Sequence, residues 1–316
     1  MAPRAALRRT KPMSIKNYRE LEAAVKGLPP LGVAVAAAAD PEVIDSLMTA
    51  RRLGCIGTSF LAGDETKIRQ IIADLGDDLA AYEILPAAND AEAGRLAVEK
   101  VRQGQAKLLV KGLLKTELYL KSILDKEAGI RNSSLLSNVS IFEMPSYHKF
   151  LAVSDNAILI QPTLDEKKTV IENTRPLWAA LGITAPKVAV LAAVETVSAK
   201  MPATLDAAAL VVMAQRGQIK GFVIDGPLAY DAAIDAEAAK TKGITQSPVC
   251  GDPDLLLVPN LETGNSLGKS FKFHGNAVWS GLIMGAKVPC VLNSRSDDRR
   301  NRLNSLMMAR LIAERS

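Results

Sequence analysis

With 316 residues the chain is too long for one ordinary core, and two domains are expected. It is 48% hydrophobic and 23% charged, an ordinary globular composition, while an aromatic content of 4% excludes a stacking platform for single-stranded nucleic acid. The formal net charge of +5 comes largely from residues 1–12, where Arg4, Arg8, Arg9 and Lys11 stand without an acid, so it describes a tail and not a DNA-binding body.

That tail lacks the apolar run of a secretory signal, and it is expected to be disordered or non-native, with translation starting at Met13. Cys55, Cys250 and Cys290 lie far apart and form no CxxC pair, which argues against disulfides and zinc and fits a reducing cytoplasm. His148 and His274 are the only histidines, too few for a multi-histidine metal site and a poor basis for a Ser-His-Asp triad. No run reaches the roughly 18 apolar residues of a membrane span.

After the tail a helix is expected over 14–26, with Ser14 as its cap and Tyr18, Leu21 and Val25 on one face. The run Gly27-Leu28-Pro29-Pro30 ends it. Residues 31–38 read as a strand, and Asp40-Pro41 opens a helix with Asp40 as N-cap. The rhythm repeats: strands over 55–61, 80–85 and 107–110 alternate with helices over 64–73, 90–103 and 116–125. Such alternation implies right-handed βαβ units and a mostly parallel sheet covered on both faces.

Near residue 130 the rhythm changes. Residues 137–144 and 149–153 are strand-like runs split by Pro145-Ser146-Tyr147-His148, a spacing that suggests an antiparallel pair and marks a second domain. Further strands are expected over 157–160, 188–192, 222–224, 255–258 and 288–292. Helices are expected over 165–181, 199–215, 230–240, 266–284 and 301–314. The one over 266–284 carries Gly268, Gly275 and Gly281, which would let a ligand or another backbone come close.

In open α/β sheets ligands sit beyond the carboxyl ends of strands, and polar residues cluster there in this chain. Asp225-Gly226-Pro227 follows one strand; its carboxylate could bind a ligand, and Asp-Gly is equally a tight-turn signature. Glu262-Thr263-Gly264-Asn265 reads as a loop entering a helix, where backbone N–H groups favour an anion such as phosphate, or as a plain N-cap by Thr263 or Asn265. Asn293-Ser294-Arg295 is the sharpest candidate. Serine is a small donor and acceptor, arginine a planar fork that grips phosphate, and Asp297 and Asp298 lie within reach as a base. The plainer reading is a solvated loop in which Arg295 pairs with those aspartates. Lys111 and Lys121, on and just after another strand-end loop, could meet phosphate as point charges, although surface lysines are the default. No GxGxxG or Walker A pattern supports dinucleotide or P-loop chemistry.

Taken in order, several of these motifs resemble one family. They are Asp225-Gly226-Pro227-Leu228, Ser247-Pro248-Val249, Gly251-Asp252-Pro253-Asp254, Val258-Pro259-Asn260-Leu261-Glu262-Thr263-Gly264-Asn265, and Gly285-Ala286-Lys287-Val288-Pro289 through Ser294-Arg295. Together they are similar to the phosphate acetyl/butyryl transferase family, and to its butyryltransferase branch more than its acetyltransferase branch. The likeness also takes in residues 35–44, Gly63-Asp64, Lys111-Gly112-Leu113-Leu114-Lys115-Thr116 and Ile141-Phe142-Glu143, and spans roughly residues 31–306.

The resemblance implies a two-domain, three-layer α/β/α fold of the isocitrate/isopropylmalate dehydrogenase-like type, with the active site in the cleft between domains. Residues 14–137 and 288–316 would build the first domain and 138–287 the second, leaving 1–13 as the tail. The implied reaction is acyl-CoA plus phosphate giving acyl phosphate plus CoA, by direct attack in a ternary complex. Coenzyme A is then a substrate, with no bound cofactor and no metal. The implied partners are acyl-CoA and inorganic phosphate, not nucleic acid or membrane, and a cytoplasmic homodimer or higher homo-oligomer is usual.

A carboxylate would take the CoA thiol proton, a serine would hydrogen-bond the thiol or the developing oxyanion, and cations would hold the phosphoryl group. Ser294 and Arg295 match the family's serine–arginine pair. Lys111, Thr116, Lys121, Asp225, Glu262, Gly264 and Asn265 stand as the substrate-binding set. Two positions depart from the acetyltransferase pattern. Its catalytic aspartate lies seven residues after the serine, where this chain has Asn301, so the base falls to Asp297 or Asp298. Its arginine five residues after the threonine matched by Thr116 is Lys121 here, which keeps the charge and loses the fork. Two other readings stay open: a dehydrogenase of the same fold, and a catalytically weakened acyl-CoA or phosphate-binding protein.

Overall fold

Strand β1 (Leu31–Ala36) shows how the sheet is built: Val33 and Val35 enter one apolar core and Ala34 and Ala36 another, because successive side chains leave a strand on opposite faces. The computed structural model describes residues 14–294 and 297–315, so the expected tail and Arg295 lie outside the described residues. The remaining strands are β2 (Ile56–Gly63), β3 (Tyr82–Pro86), β4 (Leu108–Lys111), β5 (Ser137–Glu143), β6 (Leu151–Ser154), β7 (Lys187–Leu191), β8 (Val223–Leu228), β9 (Leu255–Leu257), β10 (Val278–Met284) and β11 (Cys290–Val291).

Among the described residues all eleven join one sheet, in the order β3-β2-β1-β4-β11-β10-β5-β6-β9-β7-β8. From β3 to β11 neighbours run parallel, as they do from β6 to β8. Between these halves β10 is antiparallel to both β11 and β5, and β5 is antiparallel to β6. The β5–β6 pair is the antiparallel one expected around residues 137–153.

Helices cover both faces. On one face a single core runs the length of the sheet, taking in Val33 and Leu108 at one side and Val188, Ile224 and Leu255 at the other. The helix Arg299–Arg315 joins this core through Leu306, Met307 and Leu311 and packs on β10 and β11. Each fully buried leucine there, Leu108 or Leu255 for example, contributes roughly 1.5–3 kcal/mol. On the other face the core is divided. One cluster holds Ala34, Leu109, Tyr119 and Leu292; the other holds Phe142, Val153, Leu256 and Phe271.

Several elements differ from expectation, each for a local reason. The first helix, Tyr18–Val25, is capped by Asn17, whose side chain accepts from the Glu20 N–H at 2.9 Å, and not by Ser14. Residues 157–160 form no strand, because Asp155 Oδ1 accepts the N–H groups of Ala157 and Ile158 at 2.8 Å and bends the chain. The helix expected over 165–181 is two, Leu164–Asn173 and Arg175–Leu181, divided just before Pro176, which offers no N–H. That over 230–240 divides at Asp235, which caps Ala236–Thr241.

The largest difference falls on 266–284. A helix runs only over Leu261–Phe273, then His274-Gly275-Asn276 breaks it, with Asn276 at a φ of +49°. The chain that follows is β10, where Val278, Trp279 and Ile283 suit a central strand better than a helix. No helix among the described residues is long and apolar enough to cross a membrane.

Candidate active site

A cavity of about 320 Å³ is lined by members of both clusters of the divided core, Leu292 of one and Phe142 of the other. The helix Thr116–Leu124 is anchored in the first cluster by Tyr119 and Ile123, and presents Thr116 at its start. The helix Leu261–Phe273 is anchored in the second by Phe271, and presents Asn265, Gly268, Lys269 and Lys272. Those four share one helix face because they are spaced by three and four residues. Asn138, Ser140 and Phe142 face the same cavity from β5, where alternate residues share a side.

Glycine lets the second helix sit close. A Cβ at Gly264 would stand 2.7 Å from the Asp155 carbonyl oxygen and 2.8 Å from Val258 Cγ2, so only glycine fits against this turn. Asp155 itself is buried and accepts the backbone N–H groups of Asn138, Ala157 and Ile158. Burial raises its carboxyl above the ordinary value, and those three hydrogen bonds offset only part of the rise. This turn carries Asn156 and Ala157 to the cavity.

Past β11, Asn293, Ser294 and Asp297 join the cavity lining. Asp297 is buried at 3% exposure, and its Oδ2 accepts the Ser294 N–H at 2.6 Å and Asn293 Nδ2 at 3.3 Å. Lys272 Nζ reaches its other oxygen, Oδ1, at 3.2 Å. From the far side the buried Arg302 donates from Nε to the Asp297 carbonyl at 3.2 Å and from Nη2 to the Ser294 carbonyl at 3.3 Å. Ser294 and Asp297 are thus tied to each other and to Arg302, with the carboxylate against a cation. Burial pushes the Cys290 thiol in the adjoining strand up to about 12, and it raises the thiols of Cys55 and Cys250 as well, so no cysteine is an activated nucleophile.

Of the residues named from sequence, Thr116, Asn265, Ser294 and Asp297 line this cavity. Gly264 lies behind it as a packing position. Asp298 does not line it; its Oδ1 accepts the Asn301 N–H at 2.8 Å and so caps the last helix. Asn301 is also buried in structure, its Oδ1 accepting the Trp279 N–H at 2.9 Å. Lys111 is buried at the end of β4, with Nζ 3.3 Å from the Gly112 carbonyl oxygen. Lys121 and Glu262 are exposed on their helices and away from the cavity lining. Asp225 lies on the edge strand β8, four places from β5, where it accepts hydrogen bonds from the Ser247 hydroxyl and the Gly226 N–H.

Neither Thr263 nor Asn265 is the N-cap; Asn260 is, its side chain accepting from the Thr263 N–H at 3.0 Å. Sequence reading missed Lys269, Lys272, Asn138, Ser140, Asn156, Trp279 and Arg302. The signal for the two lysines was their spacing from Asn265, visible once the helix starts at Leu261. For Asn138 and Ser140 it was polar residues alternating along an otherwise apolar strand.

Residues 61–310 match the model of the family described as phosphate acetyl/butaryl transferase. A phosphate acetyltransferase of Rhizobium meliloti is 41% identical over 96% of both chains. A phosphate butyryltransferase of Clostridium acetobutylicum is 40% identical over 95% of this chain and 99% of its own. Among solved structures, a branched-chain phosphotransacylase from Enterococcus faecalis V583 superimposes with a TM-score of 0.78 at 29% identity, covering 90% of this chain and all of that one. The fold is the dehydrogenase-like α/β type that the sequence implied. The chain belongs to the phosphate acetyl/butyryl transferase family.

Proposed function

We propose that this chain moves a short acyl group between coenzyme A and inorganic phosphate, at the cavity bounded by Thr116, Lys272, Ser294 and Asp297. The observation that carries this reading, beside the family, is Asp297: a buried carboxylate on the cavity wall, paired with a cation and tied to Ser294. Toward acyl-CoA, the CoA thiol gives its proton to Asp297 as sulfur attacks the acyl phosphate carbonyl. The bond between the carbonyl carbon and the bridging oxygen then breaks, and phosphate leaves with the electron pair and takes up the proton held by Asp297, departing as hydrogen phosphate. In reverse, hydrogen phosphate gives its proton to Asp297 as its oxygen attacks the thioester, the carbon–sulfur bond breaks, and the departing sulfur takes that proton from Asp297.

An ionised carboxylate accepts about four hydrogen bonds, and described residues supply three to Asp297. The Ser294 hydroxyl is assigned to the thiol or the oxyanion. Lys269 and Lys272, with Arg295, are assigned to the phosphate charge. Asp298 is the weaker candidate for the base because its carboxylate is a helix cap.

The divided core supports two lobes, residues 14–137 with 288–316 and residues 138–287, meeting at this cavity. A homodimer or larger homo-oligomer is supported by the helix Pro202–Gln215, which leaves Leu205 and Val212 exposed. Free cysteines fit a cytoplasmic setting. The test is incubation with butyryl-CoA or acetyl-CoA, with and without phosphate, following free CoA thiol. Release that depends on phosphate is expected. No release with any short acyl-CoA would overturn the reading.

A further inference from the structure

The cavity lining has a polar stretch and an apolar stretch, which meet on β5 between Ser140 and Phe142. In the first, Ser140 Oγ donates to Asn156 Oδ1 at 3.0 Å, and Asn265 Nδ2 donates to the Asn156 carbonyl at 3.3 Å. The other is largely apolar, the side chains of Phe142, Trp279 and Leu292, with the buried Trp279 Nε1 unpaired among the described residues. Phe142 and Trp279 are cross-strand partners on β5 and β10, their ring centroids 6.2 Å apart and their planes 19° apart. Phe271 meets Phe142 edge-on at 5.2 Å, and Asn301 holds the Trp279 backbone, so the wall is supported from behind. Lys272 stands at the border of the two chemistries, its Nζ 3.2 Å from Asp297 Oδ1 and 5.9 Å from the Trp279 ring centre.

We propose that Phe142, Trp279 and Leu292 form the acyl-chain subsite and select a chain of about four carbons over acetyl, an inference that rests on the acyl-transfer reading above. The reacting carbonyl must sit near Ser294, Asp297 and Lys272. A chain leaving that point along the apolar wall runs over Trp279 toward Phe142. The methyl of an acetyl group leaves most of the wall facing water, whereas a propyl chain covers it. Each methylene buried in such a pocket changes discrimination roughly 10–200-fold.

The experiment is phosphate-dependent kcat/KM for acetyl-, propionyl-, butyryl- and valeryl-CoA, in wild type, Leu292→Phe and Phe142→Leu. Wild type should favour butyryl over acetyl, which is two methylenes shorter, by about a hundredfold or more. Leu292→Phe fills the subsite and should lower the butyryl-to-acetyl ratio by about tenfold; Phe142→Leu opens it and should raise the valeryl-to-butyryl ratio several-fold. Acetyl-CoA used as well as butyryl-CoA by wild type would overturn the proposal. So would variants that change every acyl-CoA by one common factor. If Leu292→Phe does not fold, as judged by circular dichroism, the wild-type series and Phe142→Leu still decide. Failure of every acyl-CoA to react would instead overturn the acyl-transfer reading, and this inference with it.

Discussion

Asp225 and Asp297 are both aspartates hydrogen-bonded to a serine, Asp225 within β8 and Asp297 beyond the end of β11, yet their surroundings differ. Asp225 sits on β8, the edge of the sheet, and its carboxylate is used by the Ser247 hydroxyl and the neighbouring Gly226 N–H. Asp297 follows β11 at the centre, where the apolar core divides, and faces Lys272 across the cavity. From sequence Asp225 is expected just after its strand, but the strand runs on through it, so its carboxylate serves the local backbone and Ser247. What separates the two is a gap between core clusters and a cation from a second helix.

The sharpest way to break this comparison is to neutralise each aspartate. Asp297→Asn should lower kcat/KM by about 100-fold or more, the usual contribution of a general base, while Asp225→Asn should cost less than about threefold. Equal losses would erase the distinction. Next in size is Lys272→Met, which removes a hydrogen bond to a charged group worth about 1.5–3 kcal/mol and should cost roughly tenfold to a hundredfold. Combined with Asp297→Asn its effect should be far less than additive, since both changes break one pair. Full additivity would show that the two act separately.

Seating of the helix Leu261–Phe273 can be tested without touching the charges. Gly264→Ala places a Cβ against the Asp155 carbonyl oxygen and should lower unfolding stability by about 1–3 kcal/mol in urea. An unchanged midpoint would mean that the helix is loosely held. The smallest effect belongs to the far side of the molecule. Burial works to raise the Asp252 carboxyl, but Lys187, Lys149 and His148 outweigh it and hold the group well below the usual carboxylate range. A depressed folded value stabilises the protein above the unfolded value of about 3.9, and that contribution is lost as pH falls toward the folded value. Asp252→Asn should therefore be slightly less stable near neutrality and lose less on acidification below about pH 4. An identical acid profile would remove Asp252 from the account.

Much of the fold is legible because local signals agree. Asp40 before Pro41, Asp64 before Glu65 and Asn89 before Asp90 all cap helices, as their chemistry favours. The site was legible where chemistry and position coincide, in Ser294 and Asp297. It was hidden where a boundary was misjudged. Reading 266–284 as one helix concealed both the Lys269–Lys272 face and the Phe142–Trp279 pairing, because Trp279 meets Phe142 only if β10 is a strand. Gly268, Gly275 and Gly281 look alike in sequence, but they lie in a helix, a break and a strand. Arg302 carried no local signal. Its role depends on a turn that lies beside it only after folding.

The most direct test of Asp297 as base is kcat/KM for acyl phosphate plus CoA, measured from about pH 6 to about pH 9 in wild type and Asp297→Asn. A thiol like that of cysteine ionises near pH 8.5, so rising pH supplies thiolate without help from the protein. The account predicts that the variant's deficit narrows steadily as pH rises. A deficit of constant size across that range would contradict it, and would leave Asp297 as a residue that only holds the Ser294 turn in shape.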